Sequence, residues 1–269
     1  MLAIIGGSGM SRLEILEGIG STHYSTPFSD SGVELFQGSL DGFPVIFLPR
    51  HGSGHRIPPH RIEYRANLWA LKEQGVTDIV AINAVGGINP QMSPGQLAIP
   101  DQLIDYTWGR SHTFYEDDLT EVVHIDFTQP YSRRLRHLLV LAVEQEQLEE
   151  DEGEDGMPVT RGIYGCVQGP RLETAAEIQK LRADGCDMVG MTAMPEAALA
   201  RELGIHYACL ALSVNRAAGL DDEVITMEAI NRTLASGMQE IRKVLRVFVR
   251  LYQQRLAVQT PAGEQDTSQ

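Results

Sequence analysis

Short apolar runs that stop at glycine or at a polar residue recur along this chain, separated by stretches of helical spacing. LAIIGG stands near the start, PVIFLP runs up to Arg50 and His51, and TDIVAINAVGG closes on Gly86 and Gly87. Residues 96–100, 162–167, 188–191 and 206–213 have the same character, and strands are expected there. Between them, residues 62–75 place Ala66, Leu68, Leu71 and Lys72 at helical intervals and stop at Gly75. Further helices are expected at 132–147, 174–183, 196–203 and 226–253. Strands interleaved with helices pack as a mixed or mostly parallel sheet covered on both faces, which is an α/β fold.

A chain of 269 residues, 43% hydrophobic and 22% charged, can build a substantial core. No repeat or linker divides it, so one domain over residues 1–256 is expected, followed by a flexible tail at 257–269. The like-charge run EEDEGEDG, residues 149–156, reads as a solvated loop. A net charge of −14 lacks the basic footprint that nucleic acid requires. Cys166, Cys186 and Cys209 form an odd set without CxxC or metal spacing, as in a reduced compartment. No apolar run approaches the roughly 18 residues of a membrane span. MLAIIGGSG enters a strand without a signal-peptide layout. A cytoplasmic protein without nucleic-acid or membrane partners is expected.

Several strand ends carry groups suited to an anion. In IIGGSGM the glycines let backbone N–H groups turn toward a ligand, and Ser8 adds a hydroxyl. The last glycine of the dinucleotide fingerprint is missing, as is a P-loop lysine. Arg50 and His51 follow one strand, Asn83 and Ala84 end another, and Thr192 ends a third. Ligands of open α/β sheets collect at such carboxyl ends. On the residues alone, Arg50 reads equally as an ion pair, His51 as a turn residue and Met191 as core. Glu196 reads equally as a first-turn helix acid.

Taken together, IIGGSGM (4–10), GPRLETAAE (169–177) and VGMTAMPE (189–196) resemble the trimeric purine nucleoside phosphorylase family, most closely its methylthioadenosine phosphorylase branch. The resemblance extends to about Arg232. It implies a single domain with a central mixed β-sheet flanked by helices, a homotrimer, and orthophosphate as co-substrate without organic cofactor or metal. It assigns phosphate binding to Ser8, Arg50, His51, Asn83, Ala84 and Thr192, with Asn83 where the branch carries threonine. Met191 would lie under the ribose. His124 would approach the 5′ end of the substrate across a subunit contact, with Phe114 and Tyr115 nearby.

Two positions depart from that branch. Glu173 stands where it has serine and Asn215 where it has aspartate, while Ala217 replaces a second aspartate. Glu173 with Asn215 is the pair of phosphorylases acting on 6-oxopurines. A 6-oxopurine carries a hydrogen on N1 that a carboxylate accepts, whereas adenine offers a lone pair there. Asn215 can donate to O6 and accept from N7 once that nitrogen is protonated. Their structural alternatives are a helix first-turn acid for Glu173 and a strand-end cap for Asn215. Leu172 and Arg216 complete the expected base-side set. At the sugar end, Met227 replaces the histidine used by hydroxyl-accepting members, and a thioether suits a methylthio group. The expected reaction is phosphorolysis of S-methyl-5′-thioinosine to hypoxanthine and 5-methylthioribose 1-phosphate, with Glu173 and Asn215 catalytic. Cleavage of inosine or guanosine, or of methylthioadenosine, is the alternative.

Overall fold

The structure is a computed structural model that describes residues 1–10, 15–117, 119–150, 158–222 and 224–259. Its strands and helices follow in the order β1 (Leu2–Gly6), β2 (Glu17–Thr26), β3 (Ser29–Leu40), β4 (Phe43–Pro49), α1 (Tyr64–Glu73), β5 (Asp78–Gly87), β6 (Leu97–Ala98), β7 (Gln102–Asp105), α2 (Arg133–Glu150), β8 (Ile163–Cys166), α3 (Ala175–Ala183), β9 (Met188–Gly190), α4 (Ala193–Glu202), β10 (His206–Arg216) and α5 (Met227–Gln259).

One mixed sheet contains all ten strands. β4, β1, β5 and β10 run parallel to one another, and so do β7, β8 and β9. The two sets meet antiparallel where Gly86 and Gly87 of β5 pair with Val189 and Met188 of β9.

Strand alternation sends successive side chains to opposite faces. Leu2, Ile4, Val80, Ile82, Leu210 and Leu212 pack against α2 and α5 on one side. Ala3, Ile5, Ile79, Ala81, Cys209 and Ala211 pack against α1 and α4 on the other. Burial on both faces is why these strands read as continuous apolar runs. Each large aliphatic side chain so buried contributes about 1.5–3 kcal/mol before conformational entropy is counted.

The hairpin of β2 and β3 is a departure from expectation. β2, EGIGSTHYST, is mostly exposed and carries no apolar alternation; its pairing with β3 defines it. The short β7 was likewise not expected. α5 reaches Gln259, past the domain boundary expected at 256, and the tail beyond lies outside the described residues. Of the acidic run, Glu149 and Glu150 belong to α2 and the rest lies outside the described residues. All three cysteines are free and buried. Among the described residues no helix is long and apolar enough to cross a membrane.

Candidate functional site

A cavity of about 630 Å³ opens where the carboxyl ends of the two parallel sets converge. Gly7, Ser8 and Gly9 follow β1, Arg50 and His51 follow β4, Ala84 to Gly86 end β5, and Val214 and Asn215 end β10. Met191 and Thr192 leave β9 for α4, and Pro170, Leu172 and Glu173 come from the segment before α3. One face of α5 closes the remaining side with Met227, Ile230, Asn231, Leu234 and Met238, at the three- and four-residue spacing of a helical stripe.

At one end the donors cluster. The backbone amides of Ser8 and Gly9 donate to nothing within the described residues. Gly7 is required by close approach: a Cβ there would lie 2.6 Å from the Ile82 carbonyl oxygen and 3.0 Å from Nη1 of Arg50. Arg50 is almost completely buried. Its Nε and Nη2 donate to the Glu196 carboxylate, each at 2.7 Å, Nη2 donates to Asn83 Oδ1 at 3.3 Å, and Nη1 donates to the Ile82 carbonyl at 3.1 Å. Burial disfavours the guanidinium charge, but Glu196 outweighs it and raises the pKa above its ordinary value. The paired edge of Arg50 therefore faces Glu196, and one hydrogen on Nη1 remains for a ligand. Glu196 in turn accepts from the Tyr207 hydroxyl at 2.8 Å. Its position in the first turn of α4 is thus joined to a buried ion pair.

Asn83 sits behind the cavity wall rather than in it. Its Nδ2 donates to Thr192 Oγ1 at 3.0 Å and to the Tyr164 hydroxyl at 3.3 Å. Thr192 is the residue before α4 yet makes no side-chain cap. Since its oxygen accepts from Asn83, its own hydrogen is free to point into the cavity. His51 is buried, and its Nδ1 lies 2.7 Å from the Ile57 carbonyl, to which it donates. Desolvation, chiefly, holds its pKa near 4. His55 also lines the cavity; its ring centroid is 4.5 Å from that of His51, and its backbone takes a positive φ of 49°. Positive φ in a non-glycine residue is uncommon and gathers at functional sites.

At the other end stand Glu173 and Asn215. Thr174 caps α3 and Glu177 completes the capping box, so Glu173 has no capping role. Burial raises its carboxyl pKa above the ordinary value. A bulge between Ser213 and Asn215 of β10 turns Asn215 toward the cavity. Its Nδ2 donates to the Arg216 carbonyl at 2.7 Å. That bond fixes the amide orientation and leaves one N–H and Oδ1 for a ligand. Met191 lies across Gly169, whose φ is +59° and where a Cβ would stand 2.4 Å from the Met191 sulfur. Met227 is 63% exposed and faces the cavity, so packing against the core does not account for it.

Besides Asn83, the expected residues Arg216, Ala217 and His124 are not brought to the cavity of this single chain. Arg216 turns away and donates to the carbonyls of Ile88, Asn89 and Met92. Ala217 is buried against Ile88 and Ile178 in a separate apolar cluster. His124 is exposed and outside the cavity lining. Sequence reasoning in turn missed His55, Asn231 and Arg110. Arg110 is buried and donates to the carbonyls of Val167, Gln168, Met191 and Met194, joining the segments beneath both ends of the site. An isolated loop arginine carries no periodic signal by which it could be found. Among the described residues no group of three or more His, Cys, Asp or Glu is placed to hold a metal ion.

The profile of the phosphorylase superfamily matches residues 1–250. A probable S-methyl-5′-thioinosine phosphorylase of Pseudomonas syringae pv. tomato is 52% identical over 243 residues, covering 90% of this chain and 96% of the relative. The 6-oxopurine nucleoside phosphorylase of Pyrococcus furiosus is 42% identical, covering 91% of this chain and 90% of that protein. A structure of methylthioadenosine phosphorylase from Schistosoma mansoni in complex with adenine superposes with a TM-score of 0.86 at 31% identity, covering 93% and 91% of the two chains.

Proposed function

The chain belongs to the phosphorylase superfamily, and from that premise we propose that it cleaves S-methyl-5′-thioinosine with orthophosphate, releasing hypoxanthine and 5-methylthioribose 1-phosphate. The observation that carries the reading is that Glu173 and Asn215 line one cavity with Met227. The naming of the Pseudomonas syringae relative agrees with it.

Phosphate occupies the donor end, held by the Ser8 and Gly9 amides, Ser8, Thr192 and the remaining Nη1 hydrogen of Arg50, with Ala84 and His51 completing the wall. Asn83 acts through Arg50 and Thr192. The sugar lies over Met191 and becomes cationic at C1′ as the glycosidic bond breaks; a phosphate oxygen bonds to that carbon. The departing purine carries the electron pair of the broken bond and takes up at N7 a proton from solvent, matching the one orthophosphate gives up on becoming the sugar ester. Glu173 accepts from N1–H, while Asn215 donates to O6 and accepts from the N7 proton. Positioning and electrostatic stabilisation of the leaving base supply the catalysis.

A homotrimer located in the cytoplasm is part of the proposal. His124 stands among exposed Val122 and Val123, outside its own cavity, which suits a contribution to a neighbour's 5′ pocket. Tyr115 is exposed as well, whereas Phe114 is anchored against Phe28 and Trp69 of its own chain. Sedimentation as a trimer is expected; a fully active monomer would remove the shared site.

A second reading, a general 6-oxopurine nucleoside phosphorylase, is favoured by Asn231. Its amide makes no hydrogen bond within the described residues and lines the cavity one turn along from Met227, where it could meet a 5′-hydroxyl. Phosphate-dependent release of free base from methylthioinosine, inosine and methylthioadenosine, compared under one set of conditions, separates the readings.

A further inference from the structure

His51 presents one ligand-facing nitrogen, and its hydrogen-bonding sense is fixed from behind. The Ile57 carbonyl can only accept, so Nδ1 must carry the ring hydrogen at their 2.7 Å contact. Nε2 of a neutral ring is then a lone pair with no donor in the described residues. Protonation of that nitrogen is opposed from three sides. The ring is buried, the Arg50 guanidinium is adjacent in sequence, and His55 packs on it at 4.5 Å with a 47° tilt. Desolvation, then Arg50 and His55, hold the imidazolium form unfavourable near neutral pH.

Most other groups at that end of the cavity present a donor or, like the Ser8 hydroxyl, can turn to present one, whereas the His51 lone pair cannot. Ser8 and Gly9 offer amides, Thr192 offers its hydroxyl hydrogen, and both Glu196 oxygens already accept from Arg50. An oxyanion made only of bare oxygens would set one of them against the Nε2 lone pair. An oxyanion that carries a hydroxyl satisfies the same nitrogen.

We propose that His51 makes the anion subsite selective for a protonated oxyanion, accepting the P–OH hydrogen of orthophosphate at Nε2 and thereby discriminating against dianions without a hydroxyl. This deepens the phosphorolysis reading and rests on it. Orthophosphate carries a P–OH throughout the neutral range; sulfate carries none. Monofluorophosphate is a dianion of nearly the same size with fluorine in place of that hydroxyl.

The test is equilibrium binding of orthophosphate, sulfate and monofluorophosphate to the intact protein near neutral pH. Sulfate and monofluorophosphate should each bind roughly tenfold or more weakly than orthophosphate, the size of one buried hydrogen bond left unmade. In His51→Gln, whose amide can present either a donor or an acceptor, the three affinities should converge to within about threefold. Equal affinities in the wild type would overturn the proposal without the variant being needed. An undiminished gap in a folded His51→Gln would overturn it as well. Release of base that needs no phosphate would instead overturn the phosphorolysis reading, and this proposal with it.

Discussion

Glu196 accepts from both Nε and Nη2 of Arg50 at 2.7 Å, and neither side chain reaches solvent. The pair leaves Arg50, a residue expected to bind the anion, with a single hydrogen to offer it. It also ties the segment after β4 to the first turn of α4. With Arg50 compensated by Glu196 and His51 neutral, the immediate donor cluster depends on directed hydrogen bonds more than on net charge.

Removing one member of such a pair leaves the other charged and buried. Glu196→Gln is expected to lower unfolding free energy by about 3–5 kcal/mol. Orthophosphate should recover more stability in the variant than in the wild type, because the anion then supplies the missing negative charge. Urea unfolding with and without phosphate measures both. A loss below about 1 kcal/mol, the level of an exposed ion pair, would contradict the buried-pair account.

Thr192→Val removes one neutral hydroxyl while keeping shape. Phosphate KM should rise about three- to tenfold, with nucleoside KM nearly unchanged. Asn83→Ala should raise phosphate KM further, since Asn83 holds both Thr192 and Arg50. Steady-state kinetics at varied phosphate decide the matter, and an unaltered phosphate dependence in both variants would displace the anion from this end of the cavity.

Glu173 accepts from N1–H most strongly when ionised. Burial raises its folded pKa above the ordinary value of 4.5. Contact with a 6-oxopurine is therefore strongest above that raised value and weakens as pH falls through it. The acid limb of kcat/KM should lie on the alkaline side of an ordinary glutamate, and it should flatten in Glu173→Gln. An identical acid limb in the variant would take Glu173 out of the base contact.

Arg110→Met strips four carbonyls of a shared donor. Stability should fall by at least roughly 2 kcal/mol, as expected for several buried acceptors left unpaired. Nucleoside KM should rise as well, because the carbonyls belong to the segments that carry Met191 and lead to Glu173. A stability loss with unchanged kinetics would make Arg110 a scaffold residue alone.

The parallel strands were legible because burial on both faces makes β1, β5 and β10 continuous apolar runs. β2 was not, because its exposed polar residues acquire strand form only by pairing with β3. Ser8, Arg50, His51, Ala84, Thr192, Met191, Leu172, Glu173, Asn215 and Met227, singled out through the family resemblance, all line the cavity. The Arg50–Glu196 pair joins residues 146 positions apart, and Arg110 reaches carbonyls 57 to 84 positions away. No local pattern encodes such distances. Arg216 and Ala217 follow Asn215 in sequence, but Arg216, still in β10, donates to the Ile88, Asn89 and Met92 carbonyls, and Ala217, just past the strand, is buried in a separate apolar cluster.

Base choice tests the account most directly. The measurement is kcat/KM of the wild-type protein for S-methyl-5′-thioinosine, inosine and methylthioadenosine, repeated on the Glu173→Ser, Asn215→Asp double variant. The predicted result is a wild type that favours methylthioinosine over methylthioadenosine by roughly tenfold or more, from buried polar groups the wrong base leaves unpaired, with the preference moving toward methylthioadenosine in the double variant. A wild type that prefers methylthioadenosine would contradict the assignment of Glu173 and Asn215 to the purine.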